Sequence, residues 1–256
     1  MAWSSAWELP CSRIPKNLLT CVGPPSERRR DFGKSQSTPV TKLSLDGVRK
    51  VLCLGAHSDD IEIGCGGTVL RLIEQSNRIE FYWLVLSSNP ARAAEAQQSA
   101  TAFLRGANRK TIVVKSFRDG FLPYLGPPVK ETFEELKKTF VPDLIFTHCR
   151  HDLHQDHRLL CELTWNTFRH HLILEYEIPK YDADLASPNF FVPLSESIAR
   201  KKVKWLMRFF GTQRNKQWFS EDLFLGLLRL RGIEAPSLTR YAEAFYCRKL
   251  LLASAK

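Results

Sequence analysis

Short apolar runs alternate with amphipathic stretches from residue 43 onward, and this rhythm limits the chain to one broad class of fold. Val51-Leu52-Cys53-Leu54-Gly55-Ala56 is an apolar run closing on small residues, which suits a strand buried on both faces. Residues 78–86, 111–117 and 143–147 read as further strands. Between them, residues 68–74, 91–104, 129–140 and 155–168 carry helical spacing or helix-favouring composition. Such alternation builds βαβ units and a mostly parallel sheet. The last third changes character. Residues 172–178 and 189–194 read as extended, 196–210 as an amphipathic helix, 220–230 as a helix stopping near Gly232, and 241–252 as a final strand. In the 196–210 helix Ala199, Val203, Leu206, Met207 and Phe210 share a face; Lys201, Lys204 and Arg208 lie opposite, as a solvated surface rather than an anion patch.

A chain of 256 residues, 44% apolar and 25% charged, is sized and composed for one globular domain with an appendage. That excludes a wholly disordered chain, a collagen or a coiled coil. The apolar runs are too short to span a bilayer, and no early stretch resembles a secretory signal. Seven cysteines, an odd number without a C-x-x-C pair, fit a reducing, cytoplasmic setting. Residues 1–44 lack a sustained period and are rich in Ser, Pro and Arg, so a disordered or loosely attached tail is expected, with a domain over 45–256. The tail is basic, which leaves a targeting role open, as is translated sequence upstream of the true start. Net charge is +10, from 37 basic and 27 acidic residues. The tail, including Arg28-Arg29-Arg30, carries +4 of this (seven basic, three acidic) and the rest of the chain +6, so a nucleic-acid partner is disfavoured and an anionic small molecule is favoured.

Metal-capable side chains crowd two positions. One is the end of the first strand, Ala56-His57-Ser58-Asp59-Asp60-Ile61-Glu62. The other follows the fourth strand, His148-Cys149-Arg150-His151-Asp152-Leu153-His154-Gln155-Asp156-His157. Open parallel sheets bind ligands outside the carboxyl ends of their strands, so the two clusters can face one rim. His57 and Asp60, three apart, point to one side of a tight turn or a first helical turn. A third ligand from the second cluster would complete a His/His/Asp set, the donor number of a catalytic zinc site. Asp59 points elsewhere and is placed to act as a base. Histidines 148, 151, 154 and 157 cannot all reach one ion, because a three-residue helical step turns about 300°. Gly64, Gly66 and Gly67 do not form a dinucleotide fingerprint; they predict close approach of a helix to the sheet.

The stretch from Ala56 to Thr68 resembles the A-H-P-D-D-x-E-x-G-x-G-G-T signature of the PIG-L/LmbE-like deacetylases. His154-Gln155-Asp156-His157-Arg158 resembles that family's H-x-D-H-R motif, Arg92-Ala93-Ala94-Glu95 its R-x-x-E element and Asp119-Gly120 its D-G element. The resemblance spans residues 50–250 and implies an α/β, Rossmann-like, mostly parallel sheet with helices on both faces, in a single domain with a less regular C-terminal cap. It implies a zinc-dependent hydrolase that removes the acetyl group from an N-acetylglucosamine-type sugar. His57, Asp60 and His154 are then the metal ligands and Asp59 the general base. His151 supports the oxyanion or hands over a proton, Asp156 is an outer partner, and Arg92 and Asp119 contact the sugar. Ser58 replaces the family's usual proline, which loosens the turn without removing a ligand. Iron or cobalt suits a His/Asp set as zinc does. The substrate is expected to be a small amino sugar, including phosphorylated, nucleotide-linked or lipid-linked forms. A thiol-precursor glucosaminide or another amide is the alternative, and a non-enzymatic nucleic-acid binder the remote one.

Overall fold

A computed structural model describes residues 43–251. The expected tail lies outside the described residues up to position 42, as does position 252 of the expected last strand. In chain order the strands are β1 (Lys50–Gly55), β2 (Glu80–Ser87), β3 (Arg109–Phe117), β4 (Leu144–His148), β5 (Leu172–Tyr176), β6 (Phe190–Leu194) and β7 (Tyr241–Cys247). The helices are α1 (Asp60–Gln75), α2 (Pro90–Phe103), α3 (Gly126–Thr139), α4 (Gln155–Thr167), α5 (Glu196–Phe209) and α6 (Glu221–Glu234).

All seven strands join one sheet in the order β3-β2-β1-β4-β5-β7-β6. The first five pair in parallel, and β7 runs antiparallel to both β5 and β6. Strand β1 is flanked by β2 and β4, so the winding reverses there and opens a crevice at their carboxyl ends. The central strands are buried on both faces, which explains their unbroken apolar sequences. On one face Val51, Cys53, Trp83 and Phe146 pack against Ile61 of α1, Phe103 of α2 and Val203 and Leu206 of α5. On the other, Leu52, Leu54 and Ile145 meet Val129 and Phe133 of α3 and Leu160 of α4.

Two departures from the expected elements shape the site. Helix α1 begins at Asp60 and runs through the glycines instead of following them. A β-carbon at Gly64 would fall within the ring of Tyr176, and one at Gly67 would come 2.9 Å from a carboxylate oxygen of Glu243. The glycines thus allow close packing, as expected, and the helix they permit starts at the acidic cluster.

The C-terminal third, expected as a less regular cap, supplies β5, β6 and β7 to the sheet and two helices to one face. Helix α6 ends at Glu234, two residues past Gly232 and close to the expected stop. Buried Glu243 of β7 ties this part to α1. It accepts from Gly67 N at 2.7 Å, Thr68 N at 2.6 Å and Lys202 Nζ at 2.6 Å. Among the described residues the five cysteines are free, and no helix is long and apolar enough to cross a membrane.

Candidate metal centre

The β1–α1 turn and the β4–α4 loop meet at the crevice. Asp59 is the N-cap residue of α1, but its side chain makes no cap hydrogen bond and is left for other partners. Asp60 opens the helix, where the dipole favours a carboxylate. Its Oδ2 accepts from His57 N at 2.6 Å, folding the carboxylate back over the turn. On the other side His154 caps α4, its Nδ1 accepting from Asp156 N at 3.2 Å. Asp156 and His157 fall in the first turn of that helix and are buried.

Three donor atoms converge. His57 Nδ1 lies 3.0 Å from His157 Nε2 and 3.3 Å from Asp60 Oδ2, and His157 Nε2 lies 3.5 Å from Asp60 Oδ2. Ligands in a tetrahedral zinc site stand about 3.3 Å apart, which follows from bond lengths of about 2.0–2.1 Å. Each imidazole is braced on its far nitrogen. His57 Nε2 faces Asp119 Oδ1 at 3.1 Å and Asp156 Oδ2 at 3.3 Å, and His157 Nδ1 faces Asp152 Oδ2 at 2.8 Å. A carboxylate behind each ring is the usual outer partner of a metal-bound histidine, and it leaves the other nitrogen bare. The donor chemistry and spacing fit one divalent cation.

The carboxylates around the cluster draw positive charge to it, a proton on His57 where no ion is bound. Burial opposes a charge on His57, but the carboxylates of Asp60, Asp119 and Asp156 outweigh it and hold this imidazole well above its ordinary range. Burial likewise opposes ionisation of Asp60, yet His157, His148 and His57 hold it well below the usual carboxylate range. His157 is pushed down to about 3 by burial and by His148, so it is neutral at pH 7, as a ligand must be. Burial raises Asp59, against the pull of Arg92. Asp119 is lowered to about 2, chiefly by its hydrogen bond to His57.

A family model described as GlcNAc-PI de-N-acetylase, PIG-L, matches residues 52–168, which contain every residue of this cluster. This stretch, a little under half of the chain, is similar to the PIG-L family. Solved structures similar to this chain include N,N'-diacetylchitobiose deacetylase from Pyrococcus horikoshii, at 20% identity and TM-score 0.59 over 78% of this chain and 84% of that one. The conserved protein TT1542 from Thermus thermophilus matches at 18% identity and TM-score 0.63, over 80% and 96% of the two chains. GalB, the 4-carboxy-2-hydroxymuconate hydratase of Pseudomonas putida KT2440, matches at 16% and 0.63, over 81% and 99%. These likenesses establish the α/β fold. A deacetylase and a hydratase share it, so the activity must be argued from the site.

Within the matched stretch the crevice gathers most of the residues singled out from sequence. Arg92 Nη2 donates to Asp59 Oδ1 at 2.7 Å, and its Nη1 reaches Asp119 Oδ2 at 3.3 Å. Arg92 thus holds the expected base and the second expected sugar contact together, while Asp119 keeps an exposed edge. Asp156 accepts from Gly120 N at 2.8 Å and Leu122 N at 3.1 Å, fixing the loop that carries Asp119. His154 stands at the mouth, half-buried, its ring centroid 4.8 Å from that of His57. His151 does not join them. It is exposed and lines a cavity with Arg150, Glu175, Tyr246 and Arg248.

Sequence reasoning placed His148, Asp152 and His157 in the second cluster but assigned none of them a role. Only the helix phase could have revealed His157: with His154 as cap, the residue three positions later turns back towards the sheet. His148 ends β4, and its ring stacks on that of His157 at 3.8 Å. Its Nε2 lies 3.1 Å from both Ala56 N and Asp60 Oδ2.

Proposed function

We propose that this protein is a metal-dependent N-deacetylase that hydrolyses the N-acetyl group of a GlcNAc-type sugar or sugar conjugate. The observation carrying this reading is the convergence of His57 Nδ1, Asp60 Oδ2 and His157 Nε2, with a carboxylate behind each imidazole. The family's description and the chitobiose deacetylase among similar structures favour an acetylated amino sugar over other amides. The net charge of +6 left once the basic tail is set aside favours forms that carry phosphate.

His57, Asp60 and His157 would hold the ion, zinc or another divalent transition metal. His154, first expected as the third ligand, is better suited to donate a hydrogen bond. Its Nδ1 accepts from the α4 backbone, so the neutral ring carries its hydrogen on Nε2. Burial lowers its pKa from the ordinary imidazole value, so the ring is neutral. When bound, the ion supplies a Lewis acid for the acyl carbonyl and lowers the pKa of a water in the crevice. Asp59, one oxygen held by Arg92, takes a proton from that water as oxygen bonds to the acyl carbon. His154 Nε2–H donates to the acyl oxygen as negative charge builds there, a contribution of about 3 kcal/mol for one such donor. Asp59 then returns the proton to the nitrogen as the C–N bond breaks, leaving acetate and a free amine.

Release of amine from a panel of N-acetylated sugars tests the reading: free N-acetylglucosamine, diacetylchitobiose, an inositol glucosaminide and a nucleotide-linked sugar. At least one should be hydrolysed, and a chelator should stop the reaction. Asp59→Asn should keep its metal and lose about 10²–10⁴ in turnover. Hydrolysis of none of them by the metal-loaded protein, or near-normal rates in Asp59→Asn, would overturn it.

A further inference from the structure

Behind His157 lies a buried charge network that the proposed chemistry does not use directly. Asp152 Oδ2 faces His157 Nδ1 at 2.8 Å, and Asp152 Oδ1 accepts from His154 N at 2.8 Å and from Lys180 Nζ at 3.1 Å. Lys180 also pairs with Asp184, and its ammonium lies 3.7 Å from Asp182. Asp184 Oδ2 in turn accepts from Leu153 N at 2.8 Å. The circuit closes: two residues that follow β5, Lys180 and Asp184, grip the β4–α4 loop at Asp152 and Leu153. Asp152, Lys180 and Asp184 are each at least nine-tenths buried in their side chains.

We infer that Asp152 and Lys180 are positioning residues that fix the tautomer and direction of His157, so that metal retention depends on the segment after β5 as well as on the ligands. The inference rests on the metal-centre reading above. A neutral imidazole has one N–H. Asp152 can only accept, so the hydrogen sits on Nδ1 and the lone pair on Nε2, facing His57 Nδ1 and Asp60 Oδ2. Without that carboxylate the ring can place its hydrogen on Nε2 and donate to Asp60, closing the site to a cation. Lys180 gives buried Asp152 a counter-charge and fixes the oxygen it does not offer to His157. Asp152→Asn cannot reproduce this, because one amide oxygen must then serve three donors.

Metal affinity of the full-length protein, by competition with a chromophoric chelator for zinc, tests the relay, with the melting temperature of the metal-free protein measured alongside. Asp152→Asn should weaken zinc binding about 10–100-fold, the usual loss for an outer partner of a metal histidine. Lys180→Met should weaken zinc binding of the folded protein severalfold, and its metal-free melting temperature should also fall, because two buried carboxylates lose their counter-charge. Lys130→Met, which removes a surface pair with Glu134, should bind zinc as wild type does. If Asp152→Asn does not fold, Lys180→Met carries the test alone. Unchanged zinc affinity in the folded variants overturns the relay while leaving the deacetylase reading intact. Wild-type protein that binds no zinc overturns both. Weakened binding in a protein that hydrolyses no acetylated sugar supports the relay and removes only the proposed substrate.

Discussion

His57, His154, His157 and His151 carry the same imidazole, and their surroundings give them different work. His57 and His157 each have a carboxylate on the far nitrogen, and His154 has a backbone N–H on its Nδ1. His157→Ala should therefore lose bound metal, and His154→Ala should keep it while losing about 10²–10³ in kcat. His151→Ala should change neither; metal content and steady-state kinetics on one preparation distinguish the three. The sequence made His57, Asp59 and Asp60 legible because they share one turn, where neighbours and three-residue spacing fix direction. The second cluster was harder to read: whether His154 or His157 faces the crevice depends on where α4 begins, and a shift of three residues exchanges ligand and donor. Arg92 was legible as a site residue but not as the partner of Asp59, since that contact joins α2 to the β1–α1 turn.

At the scale of elements, α1 is the piece on which the site hangs, and its placement depends on glycine. Gly64 lies against Tyr176, whose hydroxyl donates to Leu54 O at 2.6 Å, so the ring is tied to β1 and cannot easily move aside. Gly64→Ala should cost about 1–3 kcal/mol in urea unfolding, the usual range for overpacking a full core. It should also weaken metal binding, because α1 carries Asp60. A fully stable Gly64→Ala protein would show that α1 sits less tightly on the sheet. The alternation of strands and helices was readable because buried parallel strands are apolar throughout and helices keep their own period. The start of α1 was not, because glycine and a polar turn look alike in sequence until a tertiary neighbour explains them. The place of Glu243 was hidden for the same reason: a buried carboxylate makes sense only beside Lys202 and the α1 backbone.

At the scale of the whole molecule, reversal of winding beside β1 brings the β1–α1 turn and the β4–α4 loop together, although the proposed ligands they carry lie far apart in sequence. A cation bound there joins both halves of the parallel sheet, so it should stabilise the folded chain. At zinc about 100-fold above its dissociation constant the gain is about 2.7 kcal/mol, which a rise in melting temperature on adding zinc, reversed by chelator, would record. No such rise in His157→Ala would tie the effect to this site. The central claim is one catalytic ion per chain, and stoichiometric reactivation tests it most directly. Metal-stripped protein is titrated with zinc while amine release from an N-acetylated sugar is followed. Activity absent at the start and saturating at about one ion per chain is the result expected. Full activity in the stripped protein, unmoved by added zinc, would contradict it.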